Sequence, residues 1–235
     1  SMTDSPVPPV HHLTHQRTVG AAMLVALLMA ALTAAPAFAQ DYGLQPAPDT
    51  LKQSILIHPP IDVTEDGFSL STREHTYKSH LRLGDQLARD FGVKKLHDDG
   101  IARPYEPTSR GEANDDWYAW QRDVLAPFEA TVVRVTEPDT TNVPGTMNRK
   151  AQPGFILLHD GTTTVLYAHV REITVEEGET VQPGQVVARV GNNGNSRAPH
   201  VHVGAWVGTP SLAGSKTGAT PLQIQVDLYS AERER

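Results

Sequence analysis

The chain has 235 residues, 39% of them hydrophobic, and a formal net charge of −7 at neutral pH. It contains no cysteine, which excludes disulfide frameworks, thiolate metal sites and a lipidated N-terminal cysteine, so any metal must be held by histidine and carboxylate. The acidic balance argues against a nucleic-acid partner, because a phosphate backbone rewards basic surfaces.

Residues 1–39 read as a secretory signal peptide. Arg17 precedes the apolar run VGAAMLVALLMAALTAA, and the small-x-small site Ala37-Phe38-Ala39 follows Pro36. Cleavage is expected after Ala39, giving a periplasmic or secreted protein. A run of about 17 apolar residues is also near the minimum for spanning a bilayer, but the processing signature favours removal and no stable span thereafter. Asp4 and Arg17 cancel, so the mature chain keeps the −7.

The rest is long enough for one domain with a proper core. Residues 40–75 are taken as an N-terminal extension packing on a domain of residues 76–235, either adding strands to it or covering its cleft. KQSILIH (52–58) alternates like a strand and stops at Pro59-Pro60. DQLARDFGVKKL (85–96) fits an amphipathic helix or a strand, Gly92 and Val93 weakening the helix. The polar stretch HDDGIARPYEPTSRGEANDDW has no periodicity and is expected to be an insertion over the surface of one domain, not a linker between two.

From Pro127 onward, short β-branched runs are punctuated by turn residues. ATVVRV (130–135) is a predicted strand. FILLHDGTTTVLYAHV is a predicted hairpin turning at Asp160-Gly161. ETVQPGQVVARVG turns at Pro183-Gly184 and continues as a buried strand. HVHVGAWV and PLQIQVDLY complete a mostly β, antiparallel pattern with long loops.

On a strand, His200 and His202 share one face while Val201 and Val203 share the other. Two adjacent imidazoles on a half-buried surface are unfavourable without partners. A hydrogen-bonded pair satisfies that requirement, and so does a metal, since imidazole is the commonest metal ligand.

The surrounding motifs occur in a distinctive order: Tyr167-Ala168-His169, a turn from Gly178 to Gln185, the loop from Gly191 to Ser196, and Pro199 to His202. This order resembles the LytM-type zinc endopeptidases of peptidase family M23, which cleave peptidoglycan cross-bridges. The resemblance spans roughly residues 76–206. It implies an antiparallel β-sheet sandwich or open barrel of the LytM, duplicated hybrid motif type, a Zn2+ cofactor and peptidoglycan peptide stems as substrate. It makes His202 a zinc ligand, and His169 and His200 unligated catalytic histidines facing substrate.

The family's early ligands come from His-x-x-x-Asp, a spacing that no predicted strand here contains. Ala119 stands four residues before Asp123, Asp115 and Asp116 have no nearby histidine, and His97 with Asp98 and Asp99 looks like a polar turn. Some members split the motif, ending the acid segment in Ala-x-Asp-Phe. Ala88-Arg89-Asp90-Phe91 matches, so the expected ligands are His80, Asp90 and His202, with a loop at Leu83-Gly84-Asp85 returning the chain. His75, five residues earlier, is a rival set back by its greater distance from Asp90. Trp117, Tyr118 and Trp120 are expected near the cleft entrance, His159 in a structural role, and Asn195 and Ser196 shaping backbone. The irregular early motif leaves a second reading: an inactive LytM-like module that binds or activates other cell-wall hydrolases.

Overall fold

The β-branched runs and turn dipeptides produce an almost wholly β structure. The structure, a computed structural model, describes residues 53–78 and 80–229, and the expected signal segment lies outside them. Its strands in chain order are β1 (Ser54–Ile57), β2 (Phe68–Glu74), β3 (Arg89–Leu96), β4 (Ala102–Arg103), β5 (Asp123–Leu125), β6 (Ala130–Thr136) and β7 (Phe155–His159). They continue with β8 (Thr163–Ala168), β9 (Val170–Arg171), β10 (Thr180–Val181), β11 (Val186–Val190), β12 (Val201–Val207), β13 (Thr220–Pro221) and β14 (Gln223–Val226). Among the described residues, helix is confined to two 3-10 turns, Asn114–Asp116 and Pro210–Leu212, and none is long and apolar enough to cross a membrane.

A large sheet runs in the order β10-β6-β7-β8-β12-β3-β2, with β4 pairing β3 and β13 pairing β12. All of its pairings are antiparallel. A smaller antiparallel sheet runs β5-β11-β9, and β1 pairs β14 in parallel. The sheets stay open and close no barrel, in line with the expected sandwich or open barrel. Residues 53–75 add strands: β2 is the edge of the large sheet, which therefore runs across the expected boundary at residue 75.

Alternation assigns the two faces of the large sheet. One carries Ile156, Leu158, Val165, Tyr167, Val201, Val203, Phe91 and Val93 into the main core, all at most 1% exposed. Burying a side chain of this size contributes roughly 1.5–3 kcal/mol. This burial settles residues 85–96 as a turn followed by β3, because strand alternation sends both Phe91 and Val93 inward. The other face carries Leu157 and Trp206, covered by Leu83 from the turn before β3. The predicted hairpin forms: Asp160 Oδ1 accepts from the amides of Thr162 and Thr163 at 2.8 and 2.7 Å, and Gly161 takes a φ of 97°. His159 closes that turn, its Nδ1 lying 2.9 Å from the Thr163 carbonyl.

Candidate metal centre

Register builds the site. Arg73 on β2 pairs with Asp90 on β3, Asp90 with His202 on β12, and His202 with Ala168 on β8. Directly paired residues point to the same side of a sheet, so these side chains form one row across four strands. His75 follows β2 immediately and continues its ladder, its amide donating to the Ala88 carbonyl at 2.7 Å. Two residues on from Arg73, it reaches Asp90 on the diagonal.

His75 Nε2 lies 3.0 Å from Asp90 Oδ2, and His202 Nδ1 lies 2.9 Å from Asp90 Oδ1. One donor atom from each of His75, Asp90 and His202 falls within 4.8 Å of the others. Asp90 and His202 thus come together as expected. His80 does not join them: it lies exposed in the turn that follows, and the early imidazole beside Asp90 is His75. The loop at Leu83-Gly84-Asp85 does return the chain, but β2 ends at Glu74, so the first histidine past the strand is the one brought alongside.

The His75, Asp90 and His202 set suits zinc, which takes imidazole nitrogen and carboxylate oxygen and keeps one position open at catalytic sites. Both rings now direct nitrogens at the carboxylate, and all three groups offer lone pairs once the rings give up those protons. The other nitrogen of His202, Nε2, donates to the Gly84 carbonyl at 2.8 Å. That bond directs Nδ1 toward the centre, the outer hydrogen bond that ligating histidines normally make. Gly204, two residues along β12, makes the approach possible: a Cβ there would lie 2.1 Å from the Gly84 oxygen.

The two other histidines stand beside this group. His169 follows β8 with a φ of 64°, a left-handed conformation that a side chain rarely adopts. Strict alternation would send it to the face opposite Ala168. The kink instead brings its ring 4.8 Å from that of His200 and 6.0 Å from that of His202. His169 Nδ1 donates to the Asn193 carbonyl at 2.9 Å, and His200 Nδ1 donates to the Ala198 carbonyl at 2.8 Å. In its neutral form each ring therefore carries its proton on Nδ1 and leaves a lone pair on Nε2.

Burial pushes His169 well below the ordinary imidazole range, with His200 and His202 adding to the effect. Burial lowers His200 as well, against the opposing pull of Asp90. For His202 burial acts the same way, but the hydrogen bond and charge of Asp90 outweigh it and the net shift is upward. Burial would raise the Asp90 carboxyl, yet hydrogen bonds from His202 and His75 hold it well below the usual carboxylate range.

These groups lie in a cleft of about 640 Å³ also lined by Trp117, Asn195 and Pro199. Of the three expected aromatics, Trp117 lines it. Tyr118 turns to Glu106 and Phe68, and Trp120 lies under Arg171. Ser196 is buried, bonding Asn192 Oδ1 and the Ala198 carbonyl at 2.8 Å each, whereas Asn195 is exposed in the cleft wall. His97 contacts Tyr118, Asp99 pairs with Arg103 and Asp123 with Arg189.

Residues 118–213 match the model of peptidase family M23. The M23 match takes in His169, His200 and His202 but not His75 or Asp90, whose association rests on geometry alone. Among solved structures, the chain is similar to the catalytic domain of the antimicrobial peptidase lysostaphin from Staphylococcus simulans. The identity is 19% and the TM-score 0.39, over 66% of this chain and 88% of that one. It is also similar to the prophage-encoded M23 protein EnpA from Enterococcus faecalis, in its catalytic domain, at 17% identity and TM-score 0.37, over 63% and 88%. A chain of the SpoIIQ–SpoIIIAH pore-forming complex is similar at 16% identity and TM-score 0.38, over 79% and 99%.

Proposed function

We propose that this chain is a secreted or periplasmic zinc metalloendopeptidase that hydrolyses peptide cross-links of bacterial peptidoglycan. The observation that carries this reading is the convergence of His75, Asp90 and His202 beside two imidazoles in one cleft. Zinc, when bound, supplies a Lewis acid that acidifies water and polarises a carbonyl. Asp90 bridges the two ligating imidazoles, and Gly84 orients His202 from behind. His169 and His200 do the proton work. Held neutral by burial, each presents Nε2 to take a proton from the attacking water and return it to the leaving amine. Once protonated, the same atoms donate to the oxyanion of the tetrahedral carbon.

The inactive-module reading draws on the irregular early motif. The approach of His75 to Asp90 supports the enzyme. Zinc stoichiometry and release of fragments from purified peptidoglycan test both. The protein is expected to hold one zinc, His75→Ala and His202→Ala to lose it, and His80→Ala to keep it. His169→Ala is expected to keep zinc while losing activity by about 10²-fold or more. Matching zinc loss in His169→Ala and His202→Ala would contradict the division of roles. A zinc-loaded protein that releases nothing would leave only the binding module.

A further inference from the structure

The chain is acidic overall, yet its cleft is lined by four cations, Arg73, Lys94, Arg149 and Arg197, against two carboxylates, Asp85 and Asp90. Asp90 is already engaged by His75 and His202. Elsewhere, Arg89, Arg103, Arg110, Arg122, Arg171 and Arg189 each pair with a carboxylate. None of the four cleft cations forms an ion pair among the described residues.

They also come from two separate parts of the fold. Arg73 is the register partner of Asp90, so it emerges on the same face one strand over, at a Cβ spacing of roughly 5 Å. Lys94 lies four residues along β3 on that face. Arg149 and Arg197 come from two loops, joined where Arg197 Nη1 donates to the Gly145 carbonyl at 3.1 Å. A peptide without free carboxylates offers such groups only amides. A carboxylate gives guanidinium a charge-assisted, bidentate partner.

We infer that the cleft selects peptides bearing free carboxylates beside the scissile amide, with Arg73 and Lys94 from the sheet and Arg149 and Arg197 from the loops as their partners. This rests on the peptidase reading for the word scissile, but not for binding. The probes are four forms of one fluorescent branched peptide with a D-alanyl cross-link. One has free glutamate and C-terminal carboxylates, one is amidated at the glutamate, one at the terminus and one at both. Binding to the zinc-loaded full chain is read by anisotropy, and cleavage is followed in parallel.

The free acid is expected to bind about tenfold or more tightly than the doubly amidated form. The singly amidated forms show which carboxylate matters. Arg73→Gln, exposed and unpaired, should keep its circular dichroism and shrink the preference for acid over amide. Equal binding of all four peptides would overturn the inference even if all are cut. Preferential binding of the acid without cleavage would uphold it and remove the peptidase reading instead.

Discussion

Gly204 and Gly84 set the one hydrogen bond that points His202 at Asp90. The turn carrying Gly84 lies so close over β12 that any side chain at position 204 meets the carbonyl that His202 needs. Gly204→Ala should therefore destabilise the fold by about 1–3 kcal/mol, the usual effect of overpacking. It should also weaken zinc binding by about tenfold, the usual effect of disturbing a ligand's outer partner. Calorimetric melting and competition with a zinc chelator measure the two effects. A stability loss with unchanged zinc affinity would leave the Gly84 carbonyl without a part in the metal site. The histidine pair itself is plain from His-x-His, whereas no local pattern marks Gly84 as its partner. That contact joins positions 118 residues apart.

At the scale of elements, the bend between β8 and β9 decides where His169 goes. Asn193 clamps it: Nδ2 donates to the His169 and Val170 carbonyls at 3.2 and 3.0 Å, and Oδ1 accepts from the Gly154 amide at 2.8 Å. Gly191 crosses the same bend with no room for a Cβ, which would lie 2.5 Å from the His169 oxygen. Asn193→Ala removes three buried hydrogen bonds and should lower stability by about 2–4 kcal/mol. It should also reduce turnover while zinc stays stoichiometric, because the strained His169 loses its restraint and the metal residues do not. Thermal denaturation, zinc analysis and cleavage rates together check this; zinc lost along with turnover would argue for general collapse. Sequence reading assigns this loop a backbone-shaping role through Asn195 and Ser196. The residue that restrains the bend at His169 is Asn193, two positions away from Asn195.

Across the whole molecule, the site depends on strands from both ends of the described chain. β2 covers β3 at the sheet edge and ends at the histidine that faces Asp90, while β1 pairs with β14 near the C-terminus. A chain beginning at residue 76 keeps all the residues of the family match yet loses β1, β2 and His75. It should fail to retain zinc at stoichiometry and should unfold at lower temperature than the full chain, as metal analysis and circular dichroism would record. Full zinc retention by that truncated chain would make His75 dispensable and return the ligand role to another residue, His80 foremost.

The mostly β architecture, the hairpin at Asp160-Gly161 and the shared face of His200 and His202 follow from the sequence alone, because alternation and turn chemistry act over a few neighbouring residues. Asp90 comes into view only through the resemblance of Ala88 to Phe91 to the family's split motif, not through periodicity or turn chemistry. Which early histidine meets it lies beyond that resemblance too: His75 and His80 look alike in sequence, and the register of β2 on β3 separates them, bringing one beside the carboxylate and leaving the other exposed in the turn. Register, like the Gly84 carbonyl over Gly204, is set by hydrogen bonds and packing between distant segments, so only the tertiary structure decided which residues form the candidate metal centre.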